Sequence, residues 1–437
     1  TSIGGDLNIV NNGALTSLTG PANLTSIGGD PNIVNNSALT SLTGLDHVTS
    51  IGGSLYIRSN YVLVSLTGLE NINSIEGSIL IGDFIYGGNP SLTSLTGLDN
   101  LTSIGGDFNI VNNGALTGLT GLDHVTSIGG KLEIEANDAL TSLTGMENLN
   151  SIGGDLSIGR NDALTSLSGL ENVTSIGGSL RINGHDALTS LTGLDNVISI
   201  GGDLQIWYNW VLTSLTGLDN VTSIGGSLWI GNYGGGGNNA LTSMTGLENL
   251  TSIGGDLQIW YTASLTCLTG LDNVTFIGGG LWIRNNASLT SLTGLDNIEA
   301  ASIDGLYIYD NSFLSNCKVQ SICDYLITPT GTIVIFNNVT GCNSQEEVGE
   351  ACELSVESIN PEGEISIFPN PTNKQLTIIS KDGTTIKEVI IFNQTGQNIF
   401  CGKPENNIID ISQLYPGMYL IEVVSGQRKI REKLMIE

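Results

Sequence analysis

LTSLTGLDNVISIGGDLQIWYN, residues 188–209, is one statement of a sentence that the chain rewrites throughout residues 1–311. The Gly-Gly pair within it, or a Glu-Gly or Asp-Gly substitute, ends at Gly5, Gly29, Gly53, Gly77, Gly106, Gly130, Gly154, Gly178, Gly202, Gly226, Gly255, Gly279 and Gly305. The step is 24 residues, except for two of 29 and a last one of 26. A fixed period of this size is the signature of a solenoid, in which each repeat buries its apolar side against its neighbours. Both longer steps insert after the same strand, at residues 82–90 and 231–239, so insertions map to one line of loops. The last step gains its two residues in the run 298–302, where a terminal repeat is expected to depart from the template.

Within residues 188–209 the apolar positions are Leu188, Leu191, Leu194, Val197, Ile200, Leu204 and Ile206, a spacing too irregular for a helix. Only Leu204-x-Ile206 alternates, which predicts a short strand. Gly201-Gly202 supplies a tight turn before it, and Gly193 a second corner. The coil is then a triangle of short parallel strands and corners, and coils stacked about 4.8 Å apart build a rod about 60 Å long. After each strand comes an Asn column (Asn12, Asn36, Asn60 and onward to Asn311), interrupted by His185 and Thr262. Buried, it would satisfy backbone groups left unpaired at a corner. A second column runs through Asn23, Asn71 and onward to Asn297, with His47 and His124 as replacements, so all three histidines stand in for Asn and a structural role is expected of them.

The wording Leu-x-x-Leu and Leu-x-Ile-x-x-Asn resembles leucine-rich repeats, and Ser-Ile-Gly-Gly-x-Leu-x-Ile is closer still to the receptor L-domain type of right-handed β-solenoid. The resemblance covers residues 1–311 and implies an all-β recognition scaffold with no chemistry of its own.

A net charge of −28, with only Arg58, Lys131, Arg160, Arg181 and Arg284 as bases in the repeats, argues against nucleic-acid and anionic-lipid partners. No apolar run is long enough for a membrane span. The chain opens in mid-repeat at Thr1, from which further coils and a leader are expected to precede it. Four of six cysteines, Cys317, Cys323, Cys342 and Cys352, cluster after the last coil as an expected disulfide cap (residues 317–354) closing the solenoid (residues 1–316). Three pairings exist, and closure of local loops favours Cys317 with Cys323 and Cys342 with Cys352. Cys267, in a column dominated by Ser, and the distant Cys401 are expected to be free or buried.

Residues 355–364 read as a linker, and from residue 365 the style changes. ISIFPNPTNKQLTI, EVIIFNQTGQNI, IIDISQLYPGMYLIEVVSG and KIREKLMIE predict a small antiparallel Ig-like sandwich over residues 365–437. These phrases resemble the type A C-terminal sorting domain of the bacterial type IX secretion system of the Bacteroidetes. The residues that carry the likeness are Phe368-Pro369-Asn370-Pro371, the turn ending at Gly396, the stretch through Gly417 and Tyr419, and the ending with Lys429 and Lys433. The resemblance implies export across the outer membrane through the translocon and its shuttle protein, a secreted or cell-surface destination, and removal by a sortase with attachment to lipopolysaccharide. The linker is the expected cleavage region.

All five tryptophans, Trp207, Trp210, Trp229, Trp260 and Trp282, fall within four consecutive coils. Four of them take outward positions of Leu-x-Ile-x, alternating between the second and first x to make a checkerboard with a diagonal of about 8 Å. Tyr208 and Tyr261 extend it, Arg284 lies beside it, and earlier coils hold Asn, Val or Glu in the same columns. An aromatic patch that the fold does not require marks a site for glycan or protein, unless it packs on the cap, on loop 231–239 or on the C-terminal sandwich. A stack of acids from Asp46 and Glu70 to Asp296 reads as turn-capping and solvated; calcium bridging is the rival. Threonine columns raise an ice-binding reading, but they lie three apart and straddle an inward Leu. No catalytic constellation or dedicated metal motif is present, so the expectation is no enzyme and no cofactor. What remains is a surface adhesion or ligand-binding scaffold exported by the type IX route, or a passive surface stalk.

Overall fold

A computed structural model describes residues 1–353, 365–372, 374–381, 383–393, 397–425 and 428–436. The expected linker, Gly396 and the end of the cap at residue 354 lie outside them.

Residues 1–311 form a β-solenoid with two parallel sheets. The narrow sheet has 12 two-residue strands, from Ser2–Ile3 to Phe276–Ile277. The broad sheet has 14 strands among the described residues, the last of them beyond residue 311, and each Leu-x-Ile strand pairs in register with its counterpart one coil away, as Leu180↔Leu204 and Ile182↔Ile206. The third side of the expected triangle is made of turns rather than strand. Its Leu residues nonetheless face inward: Leu188, Leu191 and Leu194 join Val197, Ile200, Leu204 and Ile206 in one continuous core. The last coil departs where expected. Ala300–Ser302 is a 3₁₀ turn in the place of a narrow strand.

The two glycine corners serve different needs. Gly193 has φ +115°, and a Cβ there would overlap the carbonyl of Leu167 one coil below. Gly202 has no positive φ; it is small because a Cβ would meet Ser179. Ser179 belongs to a ladder not anticipated from the sequence. Where Asp or Ser follows the Gly pair, its Asp Oδ1 or Ser Oγ accepts the backbone N–H of its counterpart one coil on: Ser179 N–H to Asp155 at 2.7 Å, Asp203 to Ser179 at 3.0 Å, Ser227 to Asp203 at 2.7 Å; Lys131 and Gly280 break the ladder.

The Asn column after the broad strands is a buried ladder. Asn137 Nδ2 donates to the Ile110 carbonyl at 2.9 Å, and its N–H and Nδ2 reach Asn161 Oδ1 at 3.0 and 3.3 Å. His185 keeps the column with ring nitrogens 3.2 Å from the Asn161 carbonyl and 3.1 Å from that of Ile158. The second Asn column is exposed, and from Asn71 onward each Asn Nδ2 donates to the carbonyl of the acid one coil back, as Asn148 to Asp123 at 2.6 Å.

The cap corrects the expected cysteine pairing. Cys317 bonds Cys342 and Cys323 bonds Cys352, with Cα atoms 5.5 Å apart in both pairs. Local closure loses because the cap is itself a coil. Its strand Ile333–Phe336 adds to the broad sheet, Leu306↔Ile333, and Asn338 continues the Asn ladder. Cys317 and Cys342 are 25 residues apart, about one coil, so stacking places them at the separation a disulfide requires. The second disulfide joins helix α1 (Gln320–Ile327) to helix α2 (Gln345–Glu353).

From Ile365 the chain forms two antiparallel sheets of three and four strands around a separate core of Ile378, Val389, Ile391, Ile421 and Leu434.

Candidate binding face and sorting domain

The aromatic residues occupy the outer face of the broad sheet. Trp207, Trp229, Trp282, Tyr208 and Tyr261 are half-buried and Trp210 is exposed, but Trp260 is only 7% exposed. Its cover is Tyr233 of the inserted loop, 72% exposed, with centroids 5.9 Å apart; Trp229 lies 6.2 Å away on the other side. Toward the cap the rings stack flat. Trp282 and Tyr307 are 3.5 Å apart with 4° between planes, and Tyr309 stacks on Phe336 at 5.0 Å. The cap strand thus extends the patch by one ring.

Arg284 sits inside this patch. Its guanidinium is 4.6 Å from the Tyr233 ring, 5.5 Å from Tyr261 and Tyr309, and 5.7 Å from Trp260. It donates to the Tyr261 hydroxyl at 3.0 Å and the Tyr309 hydroxyl at 3.3 Å. Burial pulls the group down, but these hydrogen bonds outweigh it and hold it above the ordinary range. Arg284 therefore braces the rings of its own chain. The indole N–H groups of Trp229, Trp260 and Trp282 and the Gln258 Oε1 are buried without a partner.

Tyr208 and Tyr261 are held at φ +56° and +55°. They occupy a column of left-handed residues just before the Asn ladder, which Asn11, Asn35, Ser59, Asn112, Ala136, Arg160, Asn285 and Asp310 fill in other coils. Asn tolerates that conformation readily; a bulky aromatic residue is a clear outlier there. This column follows from the turn out of each strand, and no spacing in the sequence exposes it.

A second cluster escaped the sequence reading. The other inserted loop carries exposed Phe84, Ile85 and Tyr86, with Tyr86 4.4 Å over the Arg58 guanidinium, which also pairs with Asp83 at 3.3 Å. The signal was in both insertions: each lays a tyrosine over an arginine of the broad sheet.

The acid column caps turns. Asp195 Oδ2 accepts the N–H of Gly193 at 2.7 Å, and Glu171, Asp219 and Asp272 do likewise for Gly169, Gly217 and Gly270. Burial, with the like charges of Asp296 and Glu248, pushes the Asp272 carboxyl up. Among the described residues no three His, Cys, Asp or Glu side chains converge on one point.

In the C-terminal sandwich most of the singled-out residues meet at one end. Asn370 Nδ2 donates to the Lys433 carbonyl at 2.6 Å, and its Oδ1 accepts the Met435 N–H at 2.9 Å. Asn370 is flanked by exposed Pro369 and Pro371. Gly417 and Tyr419 pair with Ile436 and Leu434 on the neighbouring strand, and the Tyr419 hydroxyl donates to the Tyr415 carbonyl at 2.7 Å. Lys429 lies at the far end of that strand, opposite Val424. Residues 366–437 match the family described as Secretion system C-terminal sorting domain. This part of the chain is a type IX sorting domain. The sorting domain implies a Bacteroidetes source, contact with the secretion system, and export to the cell surface or beyond. Phe368, Tyr415, Met418, Leu420 and Met435 are exposed around its Asn370 junction, an apolar surface the sequence reading did not single out. Among the described residues no helix is long and apolar enough to cross a membrane. No curated protein matches the chain.

Proposed function

We propose that the exported rod is a surface recognition protein that binds glycan along the aromatic face of its broad sheet. The observation that carries this reading is the pair Tyr208 and Tyr261. Each puts an aromatic ring on a backbone conformation that costs about 1 kcal/mol or more, at a position that Asn, Asp, Ser, Ala or Arg fills in other coils, so the fold does not call for a ring there. The rings they add adjoin flat indole surfaces, the arrangement that stacks on the faces of sugar rings. Arg284 serves as the brace that holds Tyr261 and Tyr309 in place, and the rod performs no reaction. The apolar surface around Asn370 is the one we assign to the translocon and its shuttle protein.

The shielding of Trp260 under Tyr233 favours the second reading, a stalk whose rings pack only on one another. Ice binding has less support, because the threonine hydroxyls already have partners: Thr141 Oγ1 donates to the Thr117 carbonyl at 3.3 Å, and Thr144 Oγ1 pairs with Ser142 Oγ at 2.9 Å. The test is binding of the full chain to a glycan panel, beside a Trp229→Ala/Trp282→Ala variant. Specific signal lost in a variant that still unfolds cooperatively supports the glycan reading; no signal from wild type, or one indifferent to both substitutions, removes it.

A further inference from the structure

The rod and the sorting domain meet at a small apolar patch built around two cysteines. On the rod stands Cys267, in a column where Ser elsewhere pairs with the Thr two residues on, as Ser243 with Thr245 at 2.8 Å. Cys267 keeps that contact, its Sγ 3.2 Å from Thr269 Oγ1. On the sorting domain stand Ile390 and Cys401, register partners on the strands Ile386–Phe392 and Asn398–Gly402, with Phe392 packed beside them.

These side chains form a cluster separate from both larger cores. The Sγ of Cys267 is 3.7 Å from the Cys401 carbonyl oxygen, to which the Thr266 hydroxyl donates at 3.5 Å. The two cysteine side chains pack together in this cluster, and both are buried. Cys401 Sγ also lies 3.3 Å from Glu388 Oε1, and Glu388 Oε2 accepts Asn316 Nδ2 at 3.0 Å beside the cap.

Neither cysteine is explained by the element that carries it. Cys267 is the one thiol in a column that is otherwise Ser except for Gly118, at the coil where the domain lands. Cys401 lies outside its own domain's core and points at that coil. The other four cysteines of the chain are all paired, so the compartment in which it folds supplies a disulfide oxidant.

We propose that Cys267 and Cys401 form a disulfide that ties the rod to the sorting domain. The oxidant is a disulfide R–S–S–R of the class that closes the cap. One cysteine thiolate attacks it and expels R–S⁻; the second attacks the resulting mixed disulfide, forms the Sγ–Sγ bond and expels the other R–S⁻. The two thiol protons leave on the two R–SH, and the cysteine pair loses two electrons to the oxidant. Scission of the backbone anywhere in residues 354–364 then leaves the domain attached until the bond is reduced.

The test uses the full chain, equilibrated with glutathione disulfide until both cap pairs are fully linked. It is then unfolded in acid with an alkylating agent, digested without reduction and read by mass spectrometry. The expected result is a peptide joining Cys267 to Cys401 in the same yield as the cap peptides, and its loss in Cys401→Ser. A specific protease site inserted in residues 354–364 gives a second readout. Cut protein runs as one species without reductant and as two with it, whereas cut Cys401→Ser runs as two in both. Alkylation of Cys267 and Cys401 in protein whose cap is linked, or pairing of either with a cap cysteine, overturns the proposal.

Discussion

Replacing Asn137 by alanine removes one rung from the middle of the buried ladder. The Asn137 side chain donates to the Ile110 and Glu135 carbonyls at 2.9 and 3.1 Å, and its Oδ1 accepts from the Asn113 N–H at 3.1 Å. The site is fully buried, so water does not replace what is lost. Two hydrogen bonds at about 1 kcal/mol each, plus an unmet Asn113 N–H at about 1–3 kcal/mol, give about 3–5 kcal/mol. Asn148 is the control. Its Nδ2 makes a shorter bond, 2.6 Å to the Asp123 carbonyl, but at the surface, where Asn148→Ala should cost no more than about 1 kcal/mol. Because each coil couples only to its neighbours, the damage is local before it is global. Hydrogen exchange of the full chain should show amides of the coils around residues 110–161 opening about a hundred to a few thousand times more often in Asn137→Ala, with the first coils little changed. Urea unfolding supplies the total. Equal costs for the two substitutions, or unaltered exchange around Asn137, would refute the claim that the buried ladder and not the exposed one holds the coils in register.

Further outcomes follow from individual positions. Burial holds the His185 imidazole below its ordinary value of 6.5, so the unfolded chain takes up a proton first and the stability carried by the neutral ring declines as pH falls below that value. His185→Asn should raise the Tm at pH 7.5 by restoring an amide rung worth about 1 kcal/mol, and should shrink the drop in Tm between pH 7.5 and 5. Asp272 is raised by burial and by its acidic neighbours, so the stability its protonated form carries is lost as pH rises toward neutrality. Asp272→Asn keeps an acceptor for Gly270 and should raise the Tm at pH 7, with the gain fading in high salt and unchanged by a calcium chelator. Removal of residues 366–437 should strand the rod inside the outer membrane, scored by protease accessibility on whole cells.

The rod was legible because its period is a packing constraint: inward Leu and Ile, corner glycines and ladder Asn cannot vary without cost, so they recur in print. Loop insertions declared themselves in the same way. What stayed hidden depended on relations between coils or domains. The Asp30, Ser54, Asp155 and Ser179 ladder alternates residue types because only an oxygen acceptor is needed, so it shows no single-letter column. The cap pairing was misread because chain distance was weighed without the coil, which stacks residues about one period apart. Arg284 read as a group beside the patch, yet its contacts come from Tyr233, Tyr261 and Tyr309, on a loop and two other coils. The nearness of Cys267 and Cys401, 134 residues apart, has no trace in either local sequence.

The aromatic face spans the six strands from Leu204–Trp207 to Ile333–Phe336, five steps or about 24 Å along the rod. The most direct test is calorimetric titration of the full chain with an oligosaccharide series of increasing length, built on the strongest response from a glycan panel. The account predicts affinity that climbs with length until the ligand covers that span, and that falls at least tenfold in Trp229→Ala/Trp282→Ala. Binding indifferent to length and to both tryptophans, or no binding at any length, would contradict it.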